Sequence, residues 1–532
     1  MRAWLRISTR GAAGHLRPAL LVALALGAGL ALRLWMLRTI FQVVGDSLVY
    51  GGVAKNLLLH GQYGLELPNG AIYSTLSRLP GYPLFLALCF KIFGMENYFA
   101  VACVQIALDL LGCLLLAGFV RRIVPEPASR CAALATLWLA ALCPFTASYT
   151  AAALAETPTL FVLALAMWAM ARFHDDPGWV NALCFTFAVS GAALLRPDGV
   201  LAAVAFVPAL LIGLRWNGEL GLWGFPPFHK RREGMGHRET SAGLPPQQAK
   251  SGLAGGSGLE TGAASEDTSG LPLRKLVRMA VVCVLLALAP FAVWTARNWY
   301  VFQVIEPLAP RLAIDPGESS NPGWEHWVKS WCLDFISTYE IYWNVPGDKL
   351  DVSELPNRAF DTPAQYAETA AVAEYYNSHG MELTPEADAG FERLDEERIS
   401  AHPWRYYVWL PLGREADMWL RPRVENLNID LDWWVYAHHH RETEFSWGYA
   451  GLNVLYLLLA MVGLCLRPRF WGALLAYLLL RSALLWTVQA PETRYTIECF
   501  PMLLVLGGIA VARWVDCGLR RKTVETGAKA PS

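Results

Sequence analysis

LLVALALGAGLALRLWM, residues 20–36, is an apolar run broken only by Arg33 near its far end. At about 1.5 Å per residue in a helix it is just long enough to cross a bilayer. Arg2, Arg6, Arg10 and Arg17 precede it, so the positive-inside rule puts the amino terminus in the cytoplasm. The run is long for a signal peptide and no small-x-small cleavage site follows, so it reads as an uncleaved span. The stretch FQVVGDSLVYGGVAKNLL (residues 41–58) then emerges on the far side and carries Asp46. A carboxylate there, just past the membrane surface, is accessible to something presented by the lipid.

Composition agrees with a membrane class. Hydrophobic residues make up 55% of the chain and charged ones only 17%; with a mean hydropathy of +0.31 this is an all-α polytopic membrane protein. The net charge of −1 leaves no nucleic-acid footprint. Cysteines such as Cys103, Cys113, Cys184, Cys283 and Cys465 lie inside apolar runs and read as small buried hydrophobes, while Cys332 has no partner in the large outside segment, so no disulfide framework is expected.

Further spans are placed at Tyr98–Val120, Cys131–Ser148, Thr157–Ala171, Val180–Leu195, Val200–Leu214, Met279–Trp294, Gly448–Cys465, Trp471–Trp486 and Pro501–Val515, making about ten. An even count returns the carboxyl terminus to the cytoplasm, where Arg520, Arg521 and Lys522 stand. Arg121 with Arg122, the run HKRREGMGHR (His229–Arg238), Arg274 with Lys275 and Arg278, and Arg467 with Arg469 all fall on the same side.

The domain order follows. Residues 1–214 form an amino-terminal membrane module with a first outside loop at 38–97, and residues 215–278 a basic, then Gly- and Ser-rich linker too poor in apolar residues to fold. The seventh span lies within 279–300, an acidic, mainly helical extracytoplasmic domain spans 301–447, and residues 448–515 hold the last spans before a tail at 516–532. Trp327, Trp331, Trp343, Trp404, Trp433 and Trp434 fit an interfacial belt on that domain. The short apolar run Leu84–Phe93 reads as an interfacial helix beside the first loop.

On the outside face, or within a turn of it, stand Asp46, Arg78, Glu96, Glu156, Arg196, Asp198, Arg297, Glu492 and Arg494. Any one charge at a membrane boundary reads most simply as a solvated helix end. Several arginines on the non-cytoplasmic side run against the topological bias, and an anion is their natural partner. Guanidiniums hold phosphate bidentately and stay charged in a poorly hydrated cleft. A sugar carried on polyprenyl phosphate fits: a carboxylate would take the proton of an acceptor hydroxyl while arginines stabilised the departing phosphate. The chain has no GxSxG, P-loop or HExxH, so no covalent-nucleophile signature competes.

At these residues a resemblance appears. Asp46 followed by Tyr50, Ala54, Asn56, Leu57 and Gly61, then RLPGYP (Arg78–Pro83) leading into an apolar helix, resembles the GT-C superfamily of integral-membrane glycosyltransferases. More narrowly it is similar to the bacterial branch related to protein O-mannosyltransferases and lipid A aminoarabinose transferases. Glu156-Thr157-Pro158, LLRPDG (Leu194–Gly199), WTARNW (Trp294–Trp299) and ETRY (Glu492–Tyr495) add to it. The resemblance implies a GT-C-like bundle in a bacterial inner membrane with its active face outside. It implies inverting transfer from a polyprenyl-phosphate donor to a lipid, glycan or protein hydroxyl. Asp46 takes the place of the catalytic outside-loop aspartate. Glu156 matches an acidic residue that helps shape the acceptor or metal region, Arg196, Arg297 and Arg494 match positions facing the carrier phosphate, and Arg78 and Tyr495 join the binding set. The one cofactor these residues could hold is a divalent cation between Asp46 and Glu156, a reading weakened because Asp46-Ser47 is not a paired acidic motif.

Other features read more plainly. Consecutive His438, His439 and His440 point in different directions on any regular element. Asp109, with Gln105 one turn away, suits an interhelical hydrogen bond, and Arg481 suits either pairing inside the bundle or function. A secondary transporter is the reading from another class, and a polymerase or ligase of lipid-linked saccharides a nearer one. No repeated halves are visible, and the polar residues collect on one face, which favours interfacial enzymology.

Overall fold

The computed structural model describes residues 13–215, 273–310, 314–318 and 320–527. Most of the linker, with the run His229–Arg238, lies outside them, as do Arg2, Arg6 and Arg10. The first span is α1 (Ala13–Ile40); the loop expected outside then forms α2 (Asp46–His60), a hairpin of β1 (Gly64–Glu66) and β2 (Ile72–Ser74), and α3 (Gly81–Phe93). The bundle continues through α4 (Tyr98–Ile123), α5 (Ala128–Ala141), α6 (Pro144–Tyr149), α7 (Glu156–Asp175), α8 (Trp179–Leu195), α9 (Val200–Arg215) and α10 (Leu273–Phe302). The expected outer segment contributes α11 (Pro322–Lys329), α12 (Phe335–Glu340), α13 (Pro363–Ser378), α14 (Pro385–Ala401) and α15 (Leu410–Leu420), and α16 (His440–Cys465), α17 (Trp471–Leu485) and α18 (Phe500–Gly527) close the bundle.

Among the described residues five helices are long and apolar enough to cross a membrane, within α1, α4, α10, α16 and α18, and α3, α5, α8, α9 and α17 are shorter apolar helices. Every expected span coincides with helix, with one break. The third expected span, Cys131–Ser148, is two helices, because Pro144 lacks an amide hydrogen and its ring clashes with the preceding turn. The last helix runs on to Gly527, through much of the stretch expected as a tail.

The core of the bundle gathers Phe119, Phe145, Met167, Met170, Tyr477 and Phe500, all essentially without exposure. A polar latch crosses it. Arg33 of α1 donates from Nε to Asp109 Oδ2 of α4 at 2.6 Å and from Nη1 to the carbonyl of Ala141, at the end of α5, at 2.7 Å. Asp109 thus pairs with an arginine, while Gln105 accepts from the Tyr82 hydroxyl and donates to Ala152 O.

The outer segment has its own core, in which Trp324, Trp327 and Trp331 pack edge-on or tilted with one another and with Phe391. Trp327 and Trp331, expected in an interfacial belt, are therefore interior, and Trp433 is buried as well. Burying a large indole removes more apolar area from water than leaving it at an interface. Trp343, Trp404 and Trp434 are exposed as the belt requires.

Candidate active site

Asp46 opens α2 directly after Gly45, whose φ of +54° a residue with a Cβ rarely adopts. That turn puts the carboxylate in the first turn of a helix, where unpaired backbone N–H groups favour negative charge. Arg78 approaches from the far end of the hairpin. Its loop is held from both sides: Arg297 donates to the carbonyls of Tyr63 and Thr75, each at 2.8 Å, and Asp315 Oδ1 accepts from the amides of Leu76 at 2.7 Å and Ser77 at 3.0 Å. The Arg297 guanidinium also lies over the rings of Tyr63, Trp294 and Phe302. Behind the loop, Gly81 permits α3 to cross the end of α8, since a Cβ there would come within 2.5 Å of Leu194 O.

Asp46 is shared by two arginines. Oδ1 accepts from Arg78 Nη2 at 3.0 Å and Oδ2 from Arg494 Nη1 at 2.9 Å, and all three side chains keep about a quarter of their surface exposed, at 26%, 24% and 25%. Burial alone would raise the Asp46 carboxyl, but Arg494 and then Arg78 outweigh it and hold it below the usual carboxylate value. Arg494 is also paired with Glu492, which accepts from the Tyr495 hydroxyl.

Beside this group lies a more enclosed one. Arg196, at the turn between α8 and α9, meets three carboxylates: Glu156 at 3.0 Å, Asp198 at 3.2 Å and Glu498 at 2.6 Å. Arg481 of α17 is fully buried, pairs with Asp198 and with Glu498 at 3.1 Å, and donates from Nε to the carbonyl of Tyr495 at 2.8 Å. Through that carbonyl it is tied to the residue next to Arg494. The two groups share a neighbourhood, because the Tyr50 phenol feels Asp46, Arg78, Glu156 and Arg196 together.

Of the residues singled out in the sequence, Asp46, Arg78, Arg494, Glu492 and Tyr495 come together, and Glu156, Arg196 and Asp198 form the adjoining group. Arg297 is spent on backbone carbonyls and aromatic rings, and Glu96 pairs with Lys55 at 3.6 Å on the surface. Asp46 and Glu156 each face a guanidinium already, so together they do not present the uncommitted carboxylates a divalent cation needs. The grouping with metal-ligand spacing among the described residues is instead Asp430, Asp432 and His439, on the loop before α16. Sequence reasoning did not place Asp315 or Glu498, nor did it pair Arg481 with Asp198. Asp315 and Glu498 are lone polar residues in unremarkable local patterns, and the readable signal was the polarity of Glu498 beside the last apolar run.

Fold and site together define a polytopic membrane protein with a carboxylate–guanidinium cluster at one end of its bundle. Residues 77–223, which include Arg78, Glu156 and Arg196, match the family described as dolichyl-phosphate-mannose-protein mannosyltransferase. That match, over 147 of the 532 residues, is to a family of membrane glycosyltransferases. Comparison with curated proteins gave no match. Among solved structures it is similar to ArnT from Cupriavidus metallidurans bound to undecaprenyl phosphate, at 13% identity and a TM-score of 0.35 over 94% of this chain and 79% of that one. The apo state of the same protein gives 15% identity and a TM-score of 0.34, over 94% and 77%. Both scores lie below the level at which two folds count as the same.

Proposed function

We propose that the protein moves a sugar from a polyprenyl-phosphate carrier to an acceptor hydroxyl, with inversion, on the extracytoplasmic face of a bacterial inner membrane. The observation that carries this reading is a quarter-exposed acid, Asp46, held between Arg78 and Arg494. Asp46 takes the proton of the acceptor hydroxyl while that oxygen attacks the anomeric carbon. The bond from that carbon to the phosphate oxygen breaks, and its electron pair leaves with the carrier. The departing phosphate gains one negative charge, which Arg78 and Arg494 receive. A single displacement inverts the anomeric centre.

The same two arginines hold Asp46 in the free protein and weaken it as a base. A phosphate that claims them loosens that grip, so donor binding makes the carboxylate more basic at the moment it is needed. Arg196 and Arg481 position Glu156 and the Tyr495 backbone around this pair, and Arg297 with Asp315 sets the height of the Arg78 loop. The family match favours a transferase over the transporter reading.

The test uses the reconstituted protein and polyprenyl phosphate. Arg494→Ala and Arg78→Ala are each expected to weaken binding by about tenfold or more, since a charge-assisted contact is lost. Unchanged affinity in both variants would refute the assignment. Product analysis with a polyprenyl-phosphate sugar separates a transferase, whose acceptor gains one residue of opposite anomeric configuration, from a polymerase or ligase, whose acceptor gains a longer chain.

A further inference from the structure

We infer that residues 404–420 form an interfacial segment, seated at the boundary between headgroups and acyl chains of the leaflet next to the site. This inference is independent of the transfer chemistry. It rests on an inverted amphipathic pattern. The outward face of the segment carries Trp404, at 75% exposed, Tyr407, Trp409, at 66%, Leu412 and Leu420. Its charged residues all have protein partners: Arg405 pairs with Asp361, Arg414 donates to the carbonyls of Lys329 and Cys332, Glu415 accepts from Trp419, and Asp417 accepts from the amide of Phe335. Nearby α14 shows the opposite arrangement, burying Phe391 and Leu394 while Glu392, Arg393, Glu396 and Glu397 face outward. One outer segment therefore holds a helix built for water and another that is not.

One contact sets the height of the segment directly, and a second holds Lys329, whose carbonyl accepts from Arg414 of the segment. Trp486 Nε1 donates to the Tyr407 carbonyl at 3.2 Å, and Lys329 Nζ donates to the Thr487 carbonyl at 3.3 Å. Residues 486 and 487 directly follow the last residue of α17, so the Tyr407 part of the aromatic face lies level with the end of that apolar helix. Tyr and Trp favour that depth, where the ring is apolar and its polar tip stays wet, and a helix there buries its apolar face in the interface plane. The outward Leu84, Leu88 and Ile92 of α3 repeat the pattern beside the first loop. The inner side of the segment leads to the site: the Met418 carbonyl accepts from Thr496, and Arg423 donates to the Thr493 carbonyl at 3.0 Å, on either side of Arg494.

The experiment uses the unmodified full chain in nanodiscs of phosphatidylcholine bearing a photoactivatable carbene precursor on the acyl chain, with peptide mapping after illumination. Peptides covering 404–420 are expected to be labelled at least about fivefold more than those of α14, and to approach the level of α10. Labelling no higher than α14 would overturn the inference. Hydroxyl-radical footprinting then tells whether water, with 404–420 oxidised, or a second protein surface, with it protected, covers this face, and either result excludes the bilayer.

Discussion

Arg33–Asp109 and Asp46 with its two arginines are built from the same residue types and serve opposite ends. The first is enclosed: Arg33 has no exposed surface and Asp109 6%, and the remaining donors of Arg33 go to backbone carbonyls. The second leaves about a quarter of the Asp46, Arg78 and Arg494 side chains open, gives Asp46 two cations and shares one of them, Arg494, with Glu492. A closed pair fixes helices against one another, whereas an open cluster with shared partners can exchange one of them for an incoming anion. The comparison teaches that charge and residue type do not separate latch from site in this bundle; access and the sharing of partners do.

The widest break in the comparison is expected from Asp46→Asn. Turnover should fall by roughly 10²–10⁴-fold because the base is lost, while the thermal midpoint in detergent stays near that of the parent. Asp109→Asn should do the reverse, with a cost of about 3–5 kcal/mol from leaving Arg33 buried without its counter-ion. Replacing both, Arg33→Met with Asp109→Leu, should recover most of that loss, since no charge is left stranded. Thermal unfolding followed by circular dichroism checks both variants; a double variant as unstable as the single one would show that the latch does more than neutralise itself.

Arg481→Lys is expected to lower kcat by roughly 10–10²-fold with little change in KM, since a lysine keeps the charge but cannot bridge Asp198, Glu498 and the Tyr495 carbonyl together. Steady-state kinetics over a range of donor concentration would expose a purely structural role as a loss of active protein with unchanged constants.

A smaller effect is expected in the outer segment. Burial pushes the carboxyls of Asp395 and Asp417 up to about 6, with Arg398 and Arg421 only partly opposing it. A raised value means that the fold favours the protonated form. The stabilisation is complete below the unfolded value near 3.8 and is lost as pH rises through about 6. The segment should melt at a higher temperature near pH 5 than near pH 7, and Asp395→Asn should flatten that difference.

Much of this was legible in the chain. The spans could be read because twenty apolar residues have few other uses, and α3 because its run is too short to cross. Asp46, Arg78, Glu492 and Arg494 stood out as charges at the ends of apolar segments. Pairing was not legible. Nothing local says that Arg33 meets Asp109, 76 positions away, or that Asp46 meets Arg494, 448 positions away, because such contacts depend on how helices pack. The interior position of Trp327 and Trp331 was hidden for the same reason, since an aromatic residue suits a core, an interface or a ligand equally well.

The central claim is that the guanidiniums restraining Asp46 in the free protein are the ones the carrier phosphate takes. Its most direct test is the acid limb of transfer, measured separately for kcat/KM, which reports the free protein, and for kcat, which reports the donor complex. The Asp46 carboxyl, held low by Arg494 and Arg78, should give a kcat/KM limb below the usual carboxylate range and a kcat limb at a pH higher by about one or more. Coincident limbs, or a kcat limb at the lower pH, would contradict it.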